Sequence, residues 1–191
     1  MLQLFNKNTK STIETSENNI SSESPNSDKL TDSKDFLKEI GIPEHTDLER
    51  YYTKMLTLIA KRREIVQAAF YIYDKKENPP VLRFLAGYAC SADYTRDLIF
   101  QSGEGLPGQV IEDRALLNLK DVPEGYIKVE TGLGQASPRA LLLVPLVYEK
   151  EVAGLIELAS FHDFTKKDEI FFSEIADYLG RQMIKLVFSN D

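Results

Sequence analysis

The run Gly103-Glu104-Gly105-Leu106-Pro107-Gly108 has the spacing GxGxxG. Between a strand and a helix, such spacing lets backbone N–H groups approach a phosphate. A dinucleotide site of that type also needs a parallel strand–helix–strand unit. Here the helix that follows has room for barely two turns, the flanking strands read as hairpins, and Glu104 would oppose the phosphate charge. The glycines are therefore expected to supply tight backbone turns. Gly103, Gly105 and Gly108 remain candidate ligand contacts at the start of that helix.

Other chemistry-bearing residues are few. The single cysteine, Cys90, cannot form an intramolecular disulfide and is expected as a packed or half-exposed thiol in a reducing compartment. His45 and His162 stand in separate loops and supply no converging metal or haem set, so no metal ligand and no catalytic residue is assigned. Glu157 lies within a central strand; buried, it needs a cation such as Arg139 or a raised pKa, and otherwise it reaches water at the sheet boundary. The stretch Lys120 to Arg139 is long for a structureless loop inside a domain, and such loops are often functional. Tyr126, Lys128, Thr131, Gly132, Gly134 and Arg139 are its candidate pocket lining. Lys128 and Arg139 are the positive charges there after Lys120, which favours an anionic ligand.

The chain has 191 residues and a formal net charge of -7, and its acidity argues against nucleic-acid binding. No apolar run approaches the ~20 residues of a membrane span, and no secretory leader is recognisable, so a cytoplasmic location is expected. Residues 1–33 form a polar tail, expected to be disordered, because Asn6 to Ser33 offers little apolar surface to offset ordering entropy. Leu2, Leu4 and Phe5 ahead of it read as a frayed terminus. Residues 34–191 read as one domain.

Within that domain Phe36, Leu37 and Ile40 make a short helical turn before Gly41. A helix capped by Thr46 or Asp47 then runs to about Arg63. Val66 to Tyr73 and Val81 to Ala89 read as a hairpin, Leu98 to Gln101 as a short strand, Pro107 to Arg114 as a short helix, and Leu116 to Leu119 as an extended piece. Ala140 to Tyr148 and Glu151 to Phe161 are strands apolar on both faces, hence central, with Pro145 marking a bulge or an unpaired edge. Thr165 and Asp168 form a capping box for a last helix that carries Ile170, Phe171, Ile175, Leu179, Ile184 and Val187. The order predicts an α+β antiparallel sheet with the terminal helices on one face and the middle loops on the other.

Three stretches in this order resemble the GAF domain family: SGEGLPGQVIE at 102–112, LLLVPLVYEKEVAGLIELAS at 141–160 and FTKKDE at 164–169. VPEGYIKVETGLG at 122–134 is similar to a bacterial signalling subgroup of that family. The resemblance implies a sheet of about six strands with a ligand pocket under the middle segment. It also implies a regulatory role in which a small molecule is sensed and the terminal helices homodimerise and signal to a separate partner. Ligand-free dimerisation is the alternative, followed by a redox enzyme related to the free methionine-(R)-sulfoxide reductases. That last group uses several cysteines where this chain has one. The bilin-binding pattern of Cys followed by His is replaced by Cys90-Ser91. Of the cyclic-nucleotide pattern only Phe164, Asp168 and Glu169 match, with Ala159-Ser160 where Asn-Lys belongs. The resemblance leaves the ligand and any cofactor unnamed.

Overall fold

The computed structural model describes residues 27–42, 47–90, 98–131 and 134–188. His45, Thr46, Ser91, Gly132 and the apolar residues of the extreme N-terminus lie outside them. Among the described residues the helices are α1 (Ser27–Ile40), α2 (Leu48–Arg63), α3 (Gly105–Asp113) and α4 (Lys166–Phe188). The strands are β1 (Ile65–Asp74), β2 (Val81–Tyr88), β3 (Ile99–Gln101), β4 (Leu117–Lys120), β5 (Val129–Thr131), β6 (Gly134–Ala136), β7 (Ala140–Tyr148) and β8 (Glu151–Ser160). Six strands form one antiparallel sheet in the order β3-β2-β1-β8-β7-β4. The fold is thus the α+β sheet that the element order predicts.

Strand alternation divides the core into two layers. Ala140, Leu142, Val144 and Leu146 of β7 and Ile156 and Leu158 of β8 face α1, α2 and α4. Leu141 and Leu143 of β7, with Leu155 and Ala159 of β8, face the opposite side, where α3 packs. On the helix side Tyr52 stacks on Phe70 with centroids 3.6 Å apart, and Phe36 meets Phe171 edge-on at 5.7 Å. Pro145 pairs only with β8, because β4 reaches no further than Leu143, so its missing N–H falls on an unpaired edge.

Two differences from the sequence reading have physical causes. First, α1 begins at Ser27, so part of the segment assigned to the tail, residues 27–33, belongs to the folded unit. Its polar residues are held by partners far along the chain. Ser33 is buried and donates to Glu174 on α4, while Asp32 pairs with Arg62 at 3.6 Å and also with Arg63. Arg63 additionally lies over the Phe171 ring at 4.1 Å. Second, Lys120 to Arg139 is not wholly irregular: β5 and β6 pair as a separate hairpin, with Val129 opposite Ala136. Three-residue strands with one buried anchor, Val129, carry too little alternation to be read beforehand.

The predicted helix starts have the expected geometry. Asp47 accepts from the Arg50 N–H at 3.1 Å. The Thr165 N–H donates to Asp168 at 2.8 Å while the Asp168 N–H points back to Thr165 Oγ1 at 3.4 Å. This reciprocal pair satisfies two orphan donors at the start of α4. Thr165→Ala is expected to lower stability by about 1 kcal/mol; urea denaturation with an unchanged midpoint would contradict that role.

Candidate functional site

On the face opposite α1, α2 and α4, the middle of the sheet is floored by small residues. Ala69 of β1 and Ala159 of β8 stand where neighbouring positions carry tyrosine and leucine. The cover above them comes from β3, the start of α3 and the segment around Ile127. A cavity of about 180 Å³ remains between floor and cover. Phe100, Leu98 and Pro107 form its apolar wall, and Gln67, Glu157 and Cys90 bring polar atoms to it.

Register assembles the polar floor. Ala69 lies opposite Glu157, Gln67 opposite Ala159 and Tyr71 opposite Leu155. Gln67 and Tyr71 are therefore the two diagonal neighbours of Glu157 on one face. Tyr71 donates its hydroxyl to Glu157 Oε2 at 2.9 Å. Burial holds the Glu157 carboxyl above the usual carboxylate range, and the Tyr71 bond offsets this only in part. Arg139, the partner considered from the sequence, is instead exposed and bonded to Asp163 at 2.8 Å. Glu157 is thus half-buried and lines the cavity beside Tyr71.

Cys90 follows β2 through Ala89, whose φ of 54° turns the chain back over the sheet. Its thiol lies 3.2 Å from the Ala68 carbonyl oxygen, which it can reach as a donor. Burial pushes the thiol pKa up and the Glu157 charge adds to this, while hydrogen bonds with Gln67 and Tyr88 act in the other direction. A thiol raised in this way is a poor nucleophile.

The glycine run has a structural task at each position. Gly103 and Gly105 have φ of 78° and 61°, in the left-handed region that glycine tolerates. A Cβ on Gly108 would meet the Gln101 carbonyl oxygen at 2.2 Å, so glycine there lets α3 close on β3. The Glu104 carboxylate folds back to accept from the Gln101 N–H at 2.9 Å. Of the sequence-chosen residues, Gly105 and Tyr126 line the cavity. Gly103 and Gly108 support its cover from behind. Lys128 and Arg139 are exposed and do not reach it; Gly134 is exposed in β6, Thr131 lies in β5, and Gly132 is outside the described residues. The cationic lining expected for an anion is therefore not formed by Lys128 and Arg139. Gln67 and Tyr71 went unrecognised in the sequence because each reads as one polar or aromatic position in an apolar strand. Among the described residues no group of three His, Cys, Asp or Glu converges to hold a metal ion, and no helix is long and apolar enough to cross a membrane.

The raised Glu157 carboxyl has a stability consequence of definite sign. The folded protein holds a proton there more readily than the unfolded chain. The contribution is most favourable below the unfolded pKa of about 4.3 and declines as pH rises towards the folded value. Glu157→Gln removes that decline. The variant is expected to gain on the parent as pH rises above the ordinary glutamate range of about 4.3, and a Tm difference that stays constant from acid to neutral pH would argue against a carboxyl whose pKa burial raises.

Comparison with known proteins places this architecture. No curated protein matches the chain. Among solved structures it resembles the GAF domain of a phosphoenolpyruvate-protein phosphotransferase from Coxiella burnetii, with a TM-score of 0.68, 19% identity, and 87% of this chain and 99% of that one covered. The corresponding Acinetobacter domain gives a TM-score of 0.66 at 18% identity, covering 85% of this chain and 98% of that one. A type II free methionine-R-sulfoxide reductase from Thermoplasma acidophilum gives 0.57 at 20% identity, covering 72% and 92%. At such identities the likeness concerns the fold alone. A family model described as the GAF domain matches residues 45–182, well over half of the sequence. With the six-stranded sheet, its helix-covered face and its roofed cavity, this chain belongs to the GAF domain family.

Proposed function

We propose that this protein is a regulatory GAF module that senses a small molecule in the cavity and passes the change to a separate signalling partner through its terminal helices. One observation carries the reading: a roofed cavity of about 180 Å³ with a polar floor, in the middle of the sheet. The floor strands β1 and β8 bear the cavity on one face and α1, α2 and α4 on the other. A shift at Glu157 or Tyr71 is thus one sheet thickness from the helices. An acidic chain with one cysteine suits a cytoplasmic setting. Homodimerisation through the terminal helices belongs to the same reading. The α4 residues Phe171, Phe172, Ile175, Leu179 and Met183 are already buried within the protomer, so a dimer has to use the polar outer faces and is expected to weaken with salt.

A second reading, a small redox enzyme, draws on Cys90 in the cavity wall and on reductases among the structural neighbours. The raised thiol pKa and the lack of a second cysteine favour the sensing reading. A thermal-shift and native mass-spectrometry screen of metabolites, nucleotides and haem is expected to yield a bound, stabilising ligand; a screen with no binder and no co-purified molecule would sink the sensing proposal. Cys90→Ser is expected to retain the ligand-induced shift. If the variant instead abolished a methionine-sulfoxide reductase activity present in the parent, the redox reading would replace it.

A further inference from the structure

The cavity floor holds hydrogen-bonding capacity that the fold itself does not use. Gln67 is only 9% exposed, and its Oε1 is buried without a hydrogen-bond partner. A buried carbonyl oxygen left unpaired is costly, and native proteins rarely keep one without a use. Glu157 stands on the adjacent strand at the diagonal position, with its Oε2 accepting from Tyr71. Gln67 and Glu157 therefore line one small space, and the tyrosine hydroxyl beside them is bonded to the carboxyl.

The remaining wall is apolar, with Phe100, Leu98 and Pro107, and no lysine, arginine or histidine lines the cavity among the described residues. Among the described residues of this wall a ligand carboxylate or phosphate meets Glu157 and no cation. The volume is also restrictive. A dry cavity of about 150 Å³ in another protein accommodates benzene, so about 180 Å³ suits a body of roughly six to eight non-hydrogen atoms.

We propose that the cavity binds a small primary amine, its nitrogen donating to Gln67 Oε1 and to the Glu157 carboxyl and its apolar body lying against Phe100 and Pro107. The inference rests on the sensing reading and specifies the ligand class for that site. An amine supplies several donors from one atom, which matches two convergent acceptors better than a hydroxyl does. It also brings the positive charge that a buried carboxyl lacks.

Calorimetric titration of the full chain with benzylamine, benzyl alcohol, benzoate and toluene tests the proposal, since these probes share a body and differ in the head group. Benzylamine is expected to bind at least about tenfold more tightly than the other three, the scale of one hydrogen bond to a charged group. Glu157→Gln is expected to reduce that preference by about tenfold while toluene binding stays unchanged, which separates loss of the head-group contact from loss of the cavity. Benzylamine binding no better than benzoate or toluene would overturn the amine assignment and leave the cavity a ligand site. Failure of all four probes would likewise overturn it, and the broader metabolite screen then decides the sensing reading independently.

Discussion

The antiparallel pairing of β1 with β8 is the constraint on which the rest of the molecule depends. Both strands are covered on both faces, so their register decides at once what enters the helix-side core and what enters the cavity. Phe70 opposite Ile156 and Ala68 opposite Leu158 are committed to α1, α2 and α4. Ala69, Tyr71 and Gln67 share the other face with Glu157 and Ala159. Because side chains alternate with period two, a slip of one residue would drive Glu157 into the helix-side core and expose Phe70 to the cavity. The cost of burying Glu157 and Gln67 in that apolar core disfavours the slip.

Small residues at the centre of this face create the space, and the glycine run keeps it roofed. Ala69 and Ala159 cannot reach the cover, while Gly108 lets α3 close directly on the backbone at Gln101. The resulting enclosure explains the electrostatics. Burial disfavours the ionised form of a carboxyl in this position, and a single tyrosine hydroxyl offsets this only in part. The same enclosure keeps the Cys90 thiol protonated. Phosphotransferase GAF domains and a methionine-sulfoxide reductase share the scaffold at similar identity, so the scaffold by itself assigns no chemistry.

The helix-covered face shows how polar sequence is recruited to a fold. Arg62 and Arg63, at the end of α2, gather Asp32 and Glu39 of α1, and Arg63 also lies over Phe171 of α4. The cations sit at a helix C-terminus, where the backbone dipole favours them. Ion pairs this exposed contribute modestly one by one. Their effect is to orient α1, whose apolar residues Phe36 and Ile40 then complete the core.

Local signals in the sequence were sufficient for most elements. Asp47 and the Thr165–Asp168 box mark helix starts, and the doubly apolar runs 140–148 and 151–160 identify the central strands, because caps and alternation act between residues near in sequence. The glycine run, legible as a set of tight turns, has positive φ at Gly103 and Gly105, and Gly105 and Tyr126 line the cavity. Lys128 and Arg139 lie exposed away from the cavity, and α1 extends ahead of residue 34, because Asp32 and Ser33 look solvated until Arg63 and Glu174 are beside them. Only the tertiary structure placed Gln67, Tyr71, Glu157 and Cys90 around one space. Those residues lie up to 90 positions apart, and nothing but strand register and the closure of the cover brings their polar atoms together.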